Sequence, residues 1–403
     1  MRLGERYIRG FERRVSFYLR NLGLYIENLL NKTEEIKNDE EHLSACIDWM
    51  LKAERDEGGI SLAFTLNRGW LEAYPETSGY IICTLIDYYK ISSNEIYLKK
   101  AIELGNWEIK IQLPEGAVRI MFPGNFISDV FDTGMVILGY TSLFEETNDL
   151  RYKVAAEKAG DWLIQVQDRD GKWSNFSYNG IPHVYHSKVA WSLFKLFLIS
   201  GNVKYKKAMD KNLEWIFTNK QKNNWFNFMS FSNKEDPYTH TIAYTLQGFI
   251  EIYKLGKKEN NRYSYLFDTS KEICNLLIST FQLDVNRSGK LDLLPGTLSS
   301  KWKKSANYTC ITGNAQFAII FLDIFELSGD KKYYLSAKNL IDSIKMTQKL
   351  NLSENHPLQG ALAGSYPIWG GYHSNEYPNW ASKFFADALI RKINIDSLNK
   401  KKN

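Results

Sequence analysis

The chain alternates between two kinds of apolar segment. In the first kind, apolar residues recur every three or four positions and the stripe ends near a Gly or Asn turn. An Asn or Asp precedes most of these segments, as expected of a helix N-cap. The spacing predicts six amphipathic helices, which lie near residues 46–60, 104–117, 159–173, 212–226, 273–291 and 340–350.

Segments of the second kind lie between the first and are apolar on nearly every side. This pattern is typical of helices that are buried from two directions, and it occurs at residues 76–89, 132–147, 186–200, 240–253, 312–327 and 377–390. Six outer and six inner helices predict an all-α fold, an (α/α)6 toroid of six helical hairpins. The alternative, an open helical solenoid, usually has shorter repeats.

The two ends of the chain stand outside this sixfold pattern. Residues 1–32 are predicted to form an additional basic amphipathic helix, residues 33–395 the toroid domain, and residues 396–403 a basic disordered tail. The helix at 1–32 either packs across the toroid or docks on an anionic membrane surface or a partner protein.

Composition narrows the class of protein. A chain of 403 residues with 44% hydrophobic and 24% charged residues has enough apolar material for a large core. No apolar run reaches the roughly 18 to 20 residues that cross a bilayer. The net charge of +5 is concentrated at the two ends, so a broad nucleic-acid interface is not expected. Four widely spaced cysteines fit a reduced cytoplasm without a zinc site.

The connections from outer to inner helices are long and rich in aromatic residues, glycine, asparagine and histidine, whereas the return connections are short. Functional residues usually lie on such long loops. Glu76 follows Trp70 and Tyr74 at the start of one inner helix, and Asp132 follows Asp129 at the start of the next. Each acid is either a partner of the helix dipole or N-cap, or a proton-transferring group.

Further candidates lie at the later inner helices. His186 and His240 open two of them and are either packing residues or a pair of bases on the ring axis. Lys188 and Arg119 are candidates to neutralise a carboxylate substrate. Residues 360–390 place aromatic side chains among glycines and polar groups, which suits stacking against sugar rings. The remaining candidate substrate contacts are Trp70, Tyr74, Asp129, Tyr238, Asn314, Trp369, Tyr372, Glu376, Asn379 and Trp380. We expect no metal and no cofactor.

Several motifs carry a family resemblance. GWLEAYPETSGYI, DTGMV, HSKVAW, HTIAYTLQG, TGNAQFAII and SYPIWGGY followed by YPNWASKFFADAL span roughly residues 45 to 390. On these motifs the chain resembles the six-hairpin glycosidase-like superfamily, in particular toroid proteins of bacterial and archaeal surface-polysaccharide clusters. It is more distantly similar to unsaturated glucuronyl hydrolases, in which an aspartate that opens an inner helix acts as general acid. That match falls on Asp132, whereas the second aspartate of those enzymes is replaced by Thr77, next to Glu76.

The resemblance leaves three functional hypotheses. The first is a glycoside hydrolase-like enzyme that acts on a uronate-containing glycan, with Asp132 as general acid. Glu76 or His186 would orient water or accept a proton. The second is a sugar epimerase or isomerase, similar to N-acylglucosamine 2-epimerases, with His186 and His240 as paired bases. The third is a non-catalytic glycan-binding scaffold. The expected partners are an oligosaccharide or lipid-linked glycan and glycosyltransferases, and the expected location is the cytoplasm or the membrane periphery.

Overall fold

The computed structural model describes residue 19 and residues 21–123, 127–257, 261–285 and 289–402. Helices α2 to α13 alternate between the outside and the inside of a ring. The outer helices are α2 (Asp39–Lys52), α4 (Glu95–Ile111), α6 (Leu150–Gln165), α8 (Val203–Thr218), α10 (Ser264–Phe281) and α12 (Lys331–Lys345). The inner helices are α3 (Pro75–Ser92), α5 (Val130–Thr147), α7 (Ser187–Ser200), α9 (Thr239–Gly256), α11 (Ile311–Ser328) and α13 (Asn379–Lys402).

Local sequence explains the short turns from inner to outer helices. Inner helices α3, α5, α7 and α11 each end at a residue in the left-handed conformation, and two of these residues are glycines. The next outer helix begins at once, because an Asn or Asp side chain accepts a hydrogen bond from the backbone N–H two residues further on. The residues that cap in this way are Asn94, Asp149, Asn202 and Asp330.

Each inner helix packs against the next inner helix, and the last one closes the ring by packing against α3 and α2. Close approach depends on small residues at the crossing of α3 and α5. A Cβ atom added at Gly79 would lie 2.7 Å from the Val136 Cα, and one added at Gly139 would lie 2.4 Å from the Gly79 carbonyl oxygen. The predicted (α/α)6 toroid is therefore confirmed.

Short strands tie the long loops together on the face where the inner helices begin. Strand β1 (Ala63–Thr65) pairs antiparallel with β2 (Gly69–Trp70) and with β5 (Glu376–Pro378), which joins the first long loop to the last. Strand β3 (Thr309–Cys310) pairs with β4 (Ser365–Tyr366). The strand pairs therefore hold the long loops of this face to one another.

The structure describes part of the predicted N-terminal helix and most of the predicted C-terminal tail. Helix α1 (Leu22–Leu29) packs on the last long loop, where Tyr25 stacks on Trp369 at 5.5 Å and the Asn28 side chain accepts a hydrogen bond from the Ile368 N–H. The rest of the predicted helix, residues 1–18 and 20, lies outside the described residues. The prediction of a disordered tail from residue 396 is wrong, because α13 runs to Lys402 and Asp396 accepts hydrogen bonds from Tyr334 and Lys392.

Among the described residues, α11 is long and apolar enough to cross a membrane by length and composition, and 78% of that segment is buried inside the ring. Its apolar surface is therefore covered by the neighbouring helices.

Candidate functional site

Asp132 lies in the first turn of α5 and is 3% exposed. The Tyr74 hydroxyl donates a hydrogen bond to its Oδ1 at 3.3 Å, and its Oδ2 has no hydrogen-bond partner within the part of the chain that the structure describes. Burial, reinforced by the neighbouring acids Asp129 and Glu76, raises the pKa of Asp132 well above its usual range. Loss of the proton from this buried carboxyl group is therefore disfavoured.

Glu76 lies in the first turn of α3, one position before the equivalent of Asp132, and is also buried. The Tyr244 hydroxyl donates a hydrogen bond to its Oε1 at 3.3 Å. Burial raises the pKa of Glu76 to about 8, although the positive charge of Lys188 acts in the opposite direction. Each of the two predicted acids is therefore held by a tyrosine hydroxyl that comes from a different part of the ring.

Asp129 is the N-cap of α5 rather than an independent site residue. Its Oδ1 accepts hydrogen bonds from the backbone N–H groups of Phe131 at 2.7 Å and Asp132 at 3.0 Å. Burial raises the pKa of Asp129 to about 6, and these two N–H groups act in the opposite direction. The capping role thus falls on Asp129, and the Asp132 carboxyl group instead accepts a hydrogen bond from Tyr74.

Lys188 lies below this pair of acids, between the aromatic rings of two other inner helices. Its ammonium group is 4.5 Å from the ring centre of Tyr244 and 4.9 Å from that of Phe384, and it donates to Gln247 Oε1 at 3.3 Å. Burial lowers the pKa of Lys188 to about 7. The side chain lines a cavity of about 470 Å³ that all six inner helices enclose toward the short-connection end. It was predicted to contact substrate from the loop face, and the structure places it at the opposite side of the acids.

The two predicted histidines lie in separate clusters. His240 Nδ1 is 2.7 Å from Gln316 Oε1, and its ring lies 4.2 Å from Tyr244. His186 instead packs edge-on against Trp173 at 5.8 Å and His183 at 5.5 Å. Tyr185 and Tyr244, 6.4 Å apart, lie between the clusters. The expected pairing of His186 and His240 on the ring axis is therefore not what the fold produces.

The last long loop supplies an aromatic wall beside Asp132. Trp380 donates from Nε1 to the Tyr372 hydroxyl at 2.8 Å, and its ring lies 6.2 Å from that of Tyr74. The Tyr238 hydroxyl donates to the Gly371 carbonyl at 3.2 Å, and its ring lies 5.1 Å from that of Tyr372. These predicted residues are thus brought together around the tyrosine that holds the acid.

Other predicted substrate contacts have structural roles. The Asn314 side chain is fully buried, donates to the carbonyls of Leu294 and Cys310, and accepts from the Leu294 N–H. Asn379 is also fully buried and donates to the Ser61 carbonyl at 2.7 Å. Both predictions are wrong for the same reason: a buried loop backbone needs hydrogen-bond partners, and these amides supply them.

The remaining predicted contacts lie around the rim of the loop face. Trp70 packs between Trp49 at 5.1 Å and Phe64 at 5.2 Å. Arg119 lies over the Phe122 ring at 5.6 Å. Glu376 Oε2 is 2.7 Å from His373 Nδ1. Trp369 supports α1 through Tyr25, although 39% of its surface is exposed.

The sequence interpretation missed Tyr244, Tyr80 and Phe384, which lie a turn or more inside the inner helices. A signal was present, because Tyr80 follows Glu76 by four residues and Tyr244 follows His240 by four. Residues at that spacing share one face of a helix. Among the described residues, no group of three or more His, Cys, Asp or Glu side chains is arranged to hold a metal ion.

The six helical hairpins form an (α/α)6 toroid, with Glu76 and Asp132 near the N-termini of two inner helices. The chain is similar to a solved unsaturated glucuronyl hydrolase specific for heparin, with 14% identity, a TM-score of 0.68 and coverage of 89% of this chain and 99% of that one. It is similar to cellobiose 2-epimerase from Bacillus thermoamylovorans B4167, with 11% identity, a TM-score of 0.67 and coverage of 92% and 100%. It is also similar to D-mannose isomerase, with 13% identity, a TM-score of 0.66 and coverage of 90% of this chain and 100% of that one.

No protein-family model matches the sequence, and no curated protein matches it either. At such low identities, the similar structures confirm the fold that the sequence motifs indicate. They include both hydrolases and epimerases, and the choice between these chemistries has to be argued from the residues of this chain.

Proposed function

We propose that the protein is a carbohydrate-active enzyme, glycoside hydrolase-like, that processes a uronate-containing glycan during surface-polysaccharide assembly. The observation that carries the proposal is Asp132, a buried carboxyl group with a raised pKa, one oxygen held by Tyr74 and the other without a partner among the described residues. A protonated acid in an aromatic wall is suited to give its proton to a sugar. General acid catalysis of this kind contributes about 10²- to 10⁴-fold in rate.

The surrounding groups prepare Asp132 for proton transfer. Once the proton has left, the carboxylate is stabilised by the Tyr74 hydroxyl and by the N-terminus of α5. In the hydration of an unsaturated uronate, the proton would add to the carbon–carbon double bond and a water molecule would add to the neighbouring carbon. Glu76 is the group placed to orient that water, either as a protonated donor or, when ionised, as a base.

A second candidate function is supported by His240. Gln316 fixes its Nδ1 and the ring contacts Tyr244, which holds Glu76. An epimerase or isomerase would use this histidine with Glu76, rather than with His186, to exchange a proton on a sugar carbon. The similarity to cellobiose 2-epimerase and D-mannose isomerase agrees with this alternative.

The proposal extends to partners and location. An oligosaccharide or lipid-linked glycan would enter from the long-loop face, and glycosyltransferases are the proposed protein partners. Helix α1 exposes Leu22 and Leu29, which are 50% and 70% accessible, on that same side of the ring. Peripheral contact of residues 1–32 with the cytoplasmic face of a membrane is consistent with this exposure.

Mass spectrometry of an oligosaccharide panel incubated with the protein in D2O tests the proposal. The panel contains uronate-containing sugars, with and without an unsaturated end, and neutral sugars. We expect cleavage or hydration by the parent and a loss of at least about 100-fold in Asp132→Asn. Asp149→Asn is the matched control, since Asp149 caps outer helix α6 and Asn also caps helices well.

The other outcomes assign the function differently. Deuterium gain without cleavage would favour the epimerase, and loss of that gain in His240→Gln would place the proton carrier. Equal hydrolytic activity of Asp132→Asn and the parent would contradict the role of Asp132. Binding without any change of the sugar would favour the glycan-binding scaffold.

A further inference from the structure

A group of aromatic side chains is exposed on the long-loop face, away from the acids. Phe176 and Tyr178, in the connection from α6 to α7, are 48% and 52% exposed. Phe231, in the connection from α8 to α9, lies 5.1 Å from Tyr178. Exposed aromatic residues that adjoin a site are a common mark of a binding surface.

Contacts connect these rings to the proposed acid through Tyr372 and Trp380, which are both buried. From Phe231 the row passes to Tyr238 at 5.9 Å and from there to Tyr372 at 5.1 Å. Tyr372 accepts the Trp380 hydrogen bond, and Trp380 adjoins Tyr74, which donates to Asp132. We call the outer part of this row, Tyr178, Phe231 and Tyr238, the aromatic ledge.

Hydrogen bonds hold the two loops of the aromatic ledge in place. His183 is fully buried, with Nδ1 3.0 Å from the Ser230 carbonyl oxygen and Nε2 2.8 Å from the Tyr178 carbonyl oxygen. The Asn179 side chain donates to the Phe231 carbonyl at 2.9 Å. A ligand that stacks on these rings would consequently meet a surface that is already ordered, which lowers the entropic cost of binding.

The backbone beside the ledge is strained. Phe176 has φ of 57°, in the left-handed region that bulky side chains rarely adopt, and Asn179 has the same φ, which asparagine tolerates.

The polar surroundings of the ledge fit a sugar better than a protein helix or a lipid. Exposed amide and carboxylate side chains flank the rings, namely Asn175, Asn179, Asn233 and Asp236. Sugar rings present C–H faces for stacking and hydroxyl groups for hydrogen bonds, so alternating aromatic and polar groups match them.

We propose that the aromatic ledge binds the sugar units that precede the reacting one, so that the substrate is an oligosaccharide chain longer than a disaccharide. This inference rests on the proposed function, because the reacting unit must lie at Asp132. Binding energy gained at a distance from the reacting unit can raise kcat/KM for long chains.

Calorimetric titration in an Asp132→Asn background tests the ledge without turnover. The probes are disaccharides and hexasaccharides with unsaturated uronate ends, released by lyases from chondroitin and heparin, together with cellobiose and cellohexaose. We expect a hexasaccharide to bind at least about 10-fold more tightly than its disaccharide. Tyr178→Ala should weaken hexasaccharide binding by about 3- to 10-fold, as expected for one aromatic contact, and leave disaccharide binding unchanged.

Tyr265→Ala is the matched control, because Tyr265 is also a partly exposed tyrosine, 39% accessible, but lies on outer helix α10. The proposal would be overturned by equal affinity for the hexasaccharide and its disaccharide. It would also be overturned if Tyr178→Ala weakened hexasaccharide binding no more than Tyr265→Ala does. Failure to bind any hexasaccharide would overturn it as well. Length-dependent binding, together with no conversion of any probe by the parent protein, would support the aromatic ledge while counting against the proposed catalysis.

Discussion

At the scale of single residues, the buried acids dominate the chemistry of the ring. Glu76, Glu108, Asp129 and Asp132 all have pKa values raised mainly by burial. The folded state therefore binds protons more tightly than the unfolded chain does. With this sign, the acids favour folding at low pH, and their contribution is lost as the pH rises from the ordinary carboxyl pKa near 4 toward the raised values.

Glu108 offers a clean test of this pH dependence. It is fully buried on α4, and neither carboxyl oxygen has a hydrogen-bond partner within the described ranges. We expect Glu108→Gln to match the parent near pH 5 and to exceed its stability at pH 8, because Gln never has to be charged. The gain should approach about 1.4 kcal/mol for each pH unit that separates the measurement from the ordinary pKa, up to the raised pKa.

The measurement is urea denaturation at both pH values. Glu115→Gln, at an exposed carboxylate in the following loop, is the control and should change stability by less than about 0.5 kcal/mol at either pH. A Glu108→Gln variant that is less stable than the parent at pH 8 would mean that the carboxylate has a partner which compensates its burial.

The site shows which residue roles can be predicted from sequence. Asp132 and Glu76 were found because an acid at the start of an apolar helix is unusual. Tyr244 was missed because a tyrosine inside an apolar helix is usually interpreted as a core residue. Asn314 and Asn379 were assigned to substrate binding, but their side-chain amides donate hydrogen bonds to backbone carbonyl groups of the loops. Sequence does not reveal which backbone groups of a folded loop lack a partner.

At the scale of elements, the hydrophobic periodicity predicted nearly every helix. Boundaries were less predictable, because they depend on caps that form only in the folded loops. Helix α5 starts at Val130 because Asp129 caps it, although the sequence placed the start at Asp132. Helix α13 continues past residue 395 because Asp396 accepts hydrogen bonds from Lys392, one turn earlier in the same helix, and from Tyr334 of α12. The contact with Tyr334 is tertiary, and local sequence does not report it.

The crossing of α3 and α5 leads to a prediction about helix packing. Because a Cβ at Gly139 would lie 2.4 Å from the Gly79 carbonyl oxygen, Gly139→Ala must push the helices apart. We expect a loss of about 1 to 3 kcal/mol, typical of an overpacked core, despite the better helix propensity of Ala. Since Glu76 and Asp132 lie on these same two helices, activity should fall as well.

Thermal unfolding of Gly139→Ala beside Gly23→Ala checks this prediction. Gly23 lies in α1, and a Cβ there would meet no atom of the described residues within 4 Å. The control substitution should therefore be neutral or slightly stabilising. Equal melting temperatures for the two variants would show that the crossing adapts without cost.

At the scale of the whole molecule, closure of the ring depends on ion pairs between distant parts of the chain. Asp39, at the start of α2, pairs with Lys345 at 2.5 Å and Lys392 at 2.8 Å. Burial alone would raise the pKa of Asp39, but the two lysines outweigh it and lower that pKa. The pairs therefore stabilise the fold at neutral pH, and this contribution is lost as the pH falls through the pKa of the carboxyl group.

Asp39→Asn should destabilise the protein by roughly 3 to 5 kcal/mol at pH 7, because it leaves the buried Lys345 without its carboxylate and Lys392 with Asp396 alone. At pH 3 the difference from the parent should shrink. Denaturant titration at both pH values measures this. Asp170→Asn removes an exposed ion pair with Lys172 and should cost less than about 1 kcal/mol. An equally small effect of Asp39→Asn would show that apolar packing alone closes the ring.

The same closure constrains how the protein is made. The first outer helix is covered by the last inner helix, α13, so its inward face has no lasting partner while the ribosome is still adding the intervening hairpins. Each new hairpin can pack on the previous one, but the two ends of the arc remain open until residues 379–402 have been synthesised. During that interval the unfinished arc exposes apolar surface, and it is then that the chain most needs protection from aggregation.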